Sequence, residues 1–354
     1  MTKITIVGAG MMGSGIAWPP FDNGHDVRLV GTHLDKEIID SIKRDHWHPK
    51  HKRSVPEGIK PFYIEELENA IRDAEVLVCG VSSAGIGWFM QTLKPWFRPE
   101  VPVLSITKGL VFNDHGDLKI IPEYMNDLLP DELKGKISLN AVAGPCIAQE
   151  LAARRQTCVN FCGKDIRTLT ELKHLFQNNY YHVFPTTDFV GAEVGVALKN
   201  MYAIAINLPA GELNKTGMDG IAYNYNPQAA LFAQSMHEMR LLSQALGGKV
   251  DGIVDLTGSG DLYVTVFGGR NMRLGQLMGE GYSFNEALEK LEGVTLEGIN
   301  ILRVVSQALP SLEHQGKLRV SEFPLLNYLA EVIEHGAKVS IPWDQFFHQS
   351  KRRV

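Results

Sequence analysis

Three stretches of the chain set charged or polar side chains in apolar or glycine-rich surroundings. In "GVALKNMYAIA", Lys199 and Asn200 interrupt a run that otherwise reads as a buried helix. Lysine is rarely buried unless it is paired or functional. Partial desolvation lowers a lysine's pKa toward neutrality and lets it exchange a proton. The competing reading is a lysine that snorkels along the helix edge. In "LTGSGDLYVTVFGGRN", Asp261 lies between glycine-rich turns, followed by Thr265 and then Arg270 and Asn271 after Gly268-Gly269. A guanidinium fork beside glycine backbone N–H groups suits a phosphate. Taken alone, such an arginine also reads as the partner of a surface carboxylate. In "LSITKGL", Lys108 follows an apolar strand, and the carboxyl ends of parallel strands are where α/β folds bind ligands. An exposed loop lysine is the plainer reading there.

A fourth stretch opens the chain: "MTKITIVGAGMMGSGIAWPPFDNGHDVRLVG". Gly8, Gly10 and Gly13 take the G-x-G-x-x-G spacing between a predicted strand and a predicted helix. Gly8 permits a tight turn, Gly10 admits a pyrophosphate to the backbone, and Gly13 lets helix pack on strand. The helix start offers N–H groups to the anion. Pro19 and Pro20 remove N–H groups and push Trp18 out of helical geometry, so the helix is expected to stop or kink near Ala17–Trp18. After the second strand, where a carboxylate would favour a free ribose hydroxyl, the chain has Gly31, Thr32 and His33, with Asp35 late. NAD and NADP both stay open. Downstream, "KRDHWHPKHKR" gathers Lys43, Arg44, Lys50, Lys52 and Arg53 with His46, His48 and His51. An anion contact, a three-histidine metal site and a solvated basic loop all remain as readings, the last being the plainest.

These residues need elements to position them. Apolar runs predict strands at Ile4–Val7, Val27–Val30, Val76–Val81, Val103–Ile106, Ser138–Ala143 and Thr157–Cys162. Helical stretches lie between them at Ile64–Asp73, Ile86–Leu93, Ile120–Leu129 and Asp165–Phe176. This alternation predicts an α/β, Rossmann-like domain with a mostly parallel sheet over residues 1–187. Phe184–Asp188 reads as a connector. Residues 188–354 then read as a mainly α-helical substrate-binding and catalytic domain. Its first helix, Gly191–Ile206, should end before Pro209, and the next, Pro227–Leu246, should be capped by Asn226. Phe284–Leu291, Gly298–Leu309 and Pro324–Glu334 follow as helices.

Composition narrows the function classes. With 44% hydrophobic and 21% charged residues the chain is an ordinary globular one, long enough for two cores. A formal net charge of −5 gives no bulk attraction to nucleic acid or membrane. No apolar run is read as approaching a membrane span of about 20 residues. Cys79, Cys146, Cys158 and Cys162 lack metal-site spacing, and no metal is expected. Cys158 and Cys162 read as thiols on one strand. With no signal-peptide pattern at the start, the expectation is a reducing, cytoplasmic setting.

With these motifs in view, the chain resembles the NAD(P)-dependent glycerol-3-phosphate dehydrogenase family. The resemblance rests on the glycine turn, "SITKGL", "AGPCIAQE", "ALKNMYAIA", "NPQAALFAQSMHEM", "GSGDLYVTVFGGRN" and "TLEG", in that order over nearly the whole chain. It implies that sn-glycerol 3-phosphate and dihydroxyacetone phosphate are interconverted by hydride transfer with NAD or NADP. Lys199 would then be the general acid/base, Lys108 the group that stabilises the oxyanion, and Asp261 their partner. Asn200, Thr265, Arg270 and Asn271 would hold the substrate phosphate, with Gly144 and Cys146 also on the substrate side. Gly8, Gly10, Met11, Met12, Gly13, His33, Ala148, Arg270 and Glu297 would line the cofactor. A homodimer is implied too. The chain departs from the family in Met11-Met12 where an aromatic is usual and in Cys146 where serine is usual. It also has a polar stretch, "INLPAGELNKTGMDGIAYNYN", whose Asn224, Tyr225 and Asn226 could read extra hydroxyls. The alternative is therefore the same chemistry on a four- or five-carbon polyol or ketose phosphate. More distant are a 3-hydroxyacyl-CoA-type dehydrogenase, suggested by "GAGMMGSGIA" alone, and a non-catalytic nucleotide-binding protein.

Overall fold

The computed structural model describes all residues except 114–115, 217–222, 292–295 and 348–354. The chain forms two compact units: Met1–Lys108 with Ile120–Phe189, and Gly109–Lys119 with Val190–Val354. The short excursion 109–119 is thus grouped with the C-terminal residues, which a single cut after residue 187 does not anticipate.

The first unit is built on an eight-stranded sheet. Strands β1 (Lys3–Val7) and β2 (Asp26–Val30) precede a small hairpin of β3 (Trp47–His48) and β4 (Arg53–Ser54). Then come β5 (Lys60–Phe62), β6 (Val76–Cys79) and β7 (Val103–Ser105). After the strand pair β8 (Leu110–Phe112) and β9 (Leu118–Ile120), which falls in the 109–119 excursion but for Ile120, come β10 (Leu139–Ala143), β11 (Thr157–Cys162) and β12 (Tyr181–Thr186). The order across the sheet is β12-β11-β10-β7-β6-β1-β2-β5, and only the β10–β11 pairing is antiparallel. The parallel run β5-β2-β1-β6-β7-β10 is the doubly wound dinucleotide-binding order, with its switch point between β1 and β6. Ile4, Ile6, Val27, Leu29, Val78 and Leu104 form the centre of the core, as near-continuous apolar strands buried on both faces must.

Sequence reading missed both small two-stranded pairs and, in the eight-stranded sheet, the two edge strands. Both edges carry a proline, Pro61 in β5 and Pro185 in β12, which lacks a ladder donor and is tolerated only where one side of the strand is unpaired. The supposed connector Phe184–Asp188 is therefore mostly the end of β12. The opening helix is two short helices, α1 (Met11–Gly15) and α2 (Trp18–Asp22), broken at Ile16-Ala17. Pro19 and Pro20 sit in the first turn of α2, where their missing N–H groups cost nothing. Helices α3 (Lys36–Asp45), α4 (Leu67–Ile71), α5 (Ile86–Leu93), α6 (Ile121–Asp127), α7 (Ala148–Ala152) and α8 (Ile166–Phe176) complete this unit. Asp165 caps α8, accepting from the N–H groups of Arg167 and Thr168.

The second unit is helical: α9 (Phe189–Thr216), α10 (Tyr225–Ala245), α11 (Val250–Val254), α12 (Asp261–Val266), α13 (Arg270–Gly279), α14 (Phe284–Lys290), α15 (Glu297–His314) and α16 (Pro324–Glu334). Helix α9 does not end before Pro209 but runs through it, and α15 runs through Pro310. Helix α10 starts at Tyr225 after Asn224, so Asn226 is not its cap. By length and composition α9 could cross a membrane, against the expectation that no apolar run reaches that size. However, 83% of its apolar window is buried within the protein, as in a core helix. A seam of glycines lets α9 and α13 approach closely. A Cβ on Gly275 would collide with the carbonyl of Ile204, and one on Gly279 with that of Leu208. Helix α16 is capped from α10. The Glu238 carboxylate accepts from the N–H groups of Leu325 (2.7 Å) and Leu326 (3.0 Å), while burial pushes its pKa up to about 7.

Candidate active site

In the first unit the candidate residues collect at the carboxyl ends of parallel strands. The glycine turn leaves β1. Gly8 has φ 114°, and a Cβ there would lie 2.5 Å from the carbonyl oxygen of Gly80, just past β6. A Cβ on Gly13 would collide with the carbonyl of Gly8. These two glycines are required by the fold itself. Gly10 differs: nothing lies within 4 Å of the place its Cβ would take. The turn is therefore open to solvent at the position where a pyrophosphate needs the backbone, and the residues present fit a dinucleotide. Met11 and Met12 are half-buried in α1, and Met12 packs against the core.

Asp35, which reads from sequence as a late ribose carboxylate, is spoken for. Its Oδ2 accepts from the N–H of Ala9 (3.1 Å), the N–H of Thr32 (2.9 Å) and the hydroxyl of Thr32 (2.8 Å). It braces the glycine turn instead. His33, exposed past β2, rests edge-on against Trp88 with ring centroids 5.7 Å apart. It shares a cavity of about 490 Å³ with Thr32, Lys36, Tyr63 and Glu65. Lys108, half-buried past β7, donates from Nζ to the carbonyl of Gly144 (3.0 Å), which follows β10. Cys146 is half-buried, and Ala148 is the buried first residue of α7. All four cysteines are free thiols; Cys158 and Cys162 share β11, and burial pushes the Cys79 thiol up to about 12.

In the second unit the expected catalytic pair is assembled. Lys199 on α9 meets Asp261 on α12 with Nζ to Oδ1 at 2.5 Å, and the side chains are only 12% and 1% exposed. The glycine-rich stretch before Asp261 is not a turn but a single π-helical turn, Leu256–Gly260, running into α12. Gly195 lets that turn press on α9, since a Cβ there would come within 3.0 Å of Thr257 and Gly258. Such π-turns recur at functional sites. The Thr265 hydroxyl donates to the carbonyl of Asp261 (2.6 Å) on the same helix. Asn200, one residue past the lysine, donates to Glu297 Oε2 (3.0 Å) at the start of α15. Next to it, Gly298 leaves room for Asn200 and Asn271, whose Oδ1 would lie 2.8 Å from a Cβ there. That Oδ1 is buried and has no hydrogen-bond partner among the described residues. Arg270 and Asn271 open α13 behind Gly269, which has φ 89° and offers no side-chain cap. Arg270 is exposed, so a guanidinium and uncapped N–H groups share one helix end, a donor set suited to phosphate.

Two expectations fall elsewhere. Much of the polar stretch, through Thr216, belongs to α9; Gly217–Ala222 lie outside the described residues, as does Thr295 of "TLEG". Asn224 donates its amide to the carbonyl of Pro209 (2.9 Å), while Tyr223 and Tyr225 stack at 4.6 Å beside a cavity of about 810 Å³. Neither Lys199, Asp261 nor Arg270 lines that cavity. The basic loop's lysines and arginines are exposed, and among the described residues no three histidine, cysteine or acidic side chains gather as metal ligands.

Comparison with known proteins agrees with this layout. Residues 3–168 match the family model for the NAD-dependent glycerol-3-phosphate dehydrogenase N-terminus, and residues 188–343 match that for its C-terminus. An NADP(+)-dependent glycerol-3-phosphate dehydrogenase from Archaeoglobus fulgidus is 34% identical over 336 residues, covering 95% of this chain and 96% of the relative. A glycerol-3-phosphate dehydrogenase [NAD(P)+] from Bacillus cereus is 31% identical, covering 96% and 93%. Among solved structures, the fold is shared with glycerol-3-phosphate dehydrogenase from Plasmodium falciparum (TM-score 0.82, 20% identity, 99% and 97% covered). It is shared too with that from Coxiella burnetii (TM-score 0.77, 24% identity, 95% of each chain). The coverage of both units by one family, together with a relative above 30% identity along nearly the full length, shows that this chain belongs to the NAD-dependent glycerol-3-phosphate dehydrogenase family.

Proposed function

We propose that the chain interconverts sn-glycerol 3-phosphate and dihydroxyacetone phosphate, using NAD(P) and Lys199 as the general acid/base. The observation that carries the reading is the Lys199–Asp261 pair, a lysine kept in a nearly dry site against a buried carboxylate. The nicotinamide, when bound, supplies or accepts the hydride. In the direction of reduction, Lys199 gives a proton to the C2 oxygen, and Asp261 orients the ammonium and steadies its charge. Lys108 keeps the role its motif implies, opposing negative charge on that oxygen. Arg270, Asn271 and the first N–H groups of α13 hold the phosphate, with Asn200 fixed through Glu297. Binding at the phosphate orients the reacting carbon without touching it.

The cofactor would be held by the turn Gly8–Gly13, with Met11 and Met12. NADP is the preferred form in this reading. Asp35 is committed to Ala9 and Thr32, and the cavity past β2 presents His33 and Lys36. Homodimerisation, a cytoplasmic setting and the lack of nucleic-acid or membrane partners complete the proposal. The net charge supports the lack of a nucleic-acid partner and the burial of α9 the lack of a membrane one, while homodimerisation rests on the family resemblance. The test follows oxidation of NADH and NADPH, titrated separately, with dihydroxyacetone phosphate and with four- and five-carbon ketose phosphates. The reading expects the highest kcat/KM with dihydroxyacetone phosphate and a lower KM for NADPH. A larger ketose phosphate preferred tenfold or more would overturn the substrate assignment.

A further inference from the structure

The histidines of the basic loop do something its lysines do not. His48 ends β3 and is fully buried; His51, in the turn before β4, is 6% exposed. Their rings pack edge to face at 4.4 Å, and the Trp18 ring lies 5.8 Å from that of His51. His48 Nε2 lies 3.2 Å from the carbonyl oxygen of Ala9 and 3.0 Å from the hydroxyl of Ser14, which itself donates to Ala9 (2.9 Å). His51 Nε2 lies 2.8 Å from the carbonyl oxygen of Met11. A carbonyl can only accept, so each Nε2 carries the proton. His48 Nδ1 is then left to accept from the His51 N–H (3.1 Å).

These carbonyls belong to the glycine turn. In a trans peptide the C=O of one residue and the N–H of the next lie in one plane and point opposite ways. Holding the Ala9 oxygen therefore aims the Gly10 N–H, and holding the Met11 oxygen aims the Met12 N–H. Asp35 fixes the preceding plane through the Ala9 N–H. Three of the turn's peptide planes, those entering Ala9, Gly10 and Met12, are thus anchored from outside the turn, two of them by histidines.

We propose that His48 and His51 are positioning residues for the dinucleotide, orienting the N–H groups that receive its pyrophosphate. This rests on the reading that the turn binds NAD(P). The two rings give this turn a rigid floor while leaving its outer side, at Gly10, clear.

The test measures dinucleotide affinity by titration calorimetry with NADH and NADPH, beside steady-state kinetics. His51→Leu removes the donor and keeps an apolar filler; His51→Gln returns an N–H near the Nε2 position. His51→Leu should weaken dinucleotide binding about tenfold, the worth of one hydrogen bond. It should raise the dinucleotide KM in parallel and leave kcat and the dihydroxyacetone phosphate KM within about twofold. His51→Gln should recover most of the affinity. Circular dichroism checks the fold, and if His51→Leu does not fold, the shorter amide of His51→Asn is judged by the same criteria. Unchanged affinity in a folded variant, or equal loosening of both KM values, overturns the proposal while the function stands. Wild-type protein that binds neither dinucleotide overturns the functional reading, and this inference with it.

Discussion

Replacing Asp261 by asparagine removes a charge and almost no volume. Lys199 then loses a counter-charge 2.5 Å away at a site where its side chain is 12% exposed and the carboxylate 1%. At an effective dielectric of about 20, charges at this separation attract by roughly 6–7 kcal/mol, before the cost of drying them is subtracted. Removing one member of a buried pair costs about 3–5 kcal/mol in general, because the other charge stays behind. Asp261→Asn should therefore lower unfolding stability at pH 7 by about 3 kcal/mol. Lys199→Met should cost at least as much, since the charge it leaves behind, the Asp261 carboxylate, is the drier of the two at 1% exposed. Urea unfolding of both single variants and the double variant gives the coupling, which should be about 2 kcal/mol or more. A coupling below about 0.5 kcal/mol would refute the claim that this pair is held in a dry site.

Four further outcomes follow from the geometry. Gly10→Ala should leave stability within about 0.5 kcal/mol and weaken NADH and NADPH binding at least about tenfold, because its methyl has space in the fold but stands where a pyrophosphate must approach. Gly13→Ala, whose methyl would strike the Gly8 carbonyl, should instead lose stability by several kcal/mol; calorimetry and urea unfolding together separate the two. Arg270→Ala should raise KM for dihydroxyacetone phosphate far more than for unphosphorylated dihydroxyacetone, and equal effects would remove Arg270 from the phosphate site. Burial, with His51 and Lys50 nearby, lowers the pKa of His48 from 6.5 to about 4. The native protein then binds fewer protons than the unfolded chain between those values. Stability is accordingly lost as pH falls from 6.5 to 4, by about 3 kcal/mol in all, and His48→Gln should flatten that part of the curve.

Much of this site is legible in the sequence because its constraints are local. Gly8 and Gly13 are steric requirements of one tight turn, and Lys199 stands out against the apolar helix that carries it. What sequence reading misses depends on long-range packing. Asp35 reaches back to Ala9, and His48 and His51 to Ala9 and Met11, through side-chain bonds that no spacing rule encodes. The signal was present only as histidines out of place in a basic loop. Pro209 reads as a stop, but burial of α9 overrides local propensity, and the helix continues to Thr216. The glycines before Asp261 read as a turn, yet Gly258 lies in a π-helical turn where a Cβ would strike the Ile253 carbonyl, a contact no spacing rule reveals. Prolines hid β5 and β12 because the rule that excludes them from strands relaxes at a sheet edge.

The central claim is that Lys199 transfers the proton while the second unit holds the phosphate. Single-turnover reduction of dihydroxyacetone phosphate by Lys199→Ala, with NADH or NADPH prebound and the fold verified, tests it most directly. The account predicts a rate lowered by about 10²- to 10⁴-fold with dinucleotide affinity unchanged within about twofold. A folded Lys199→Ala protein that turns over near the wild-type rate would contradict it.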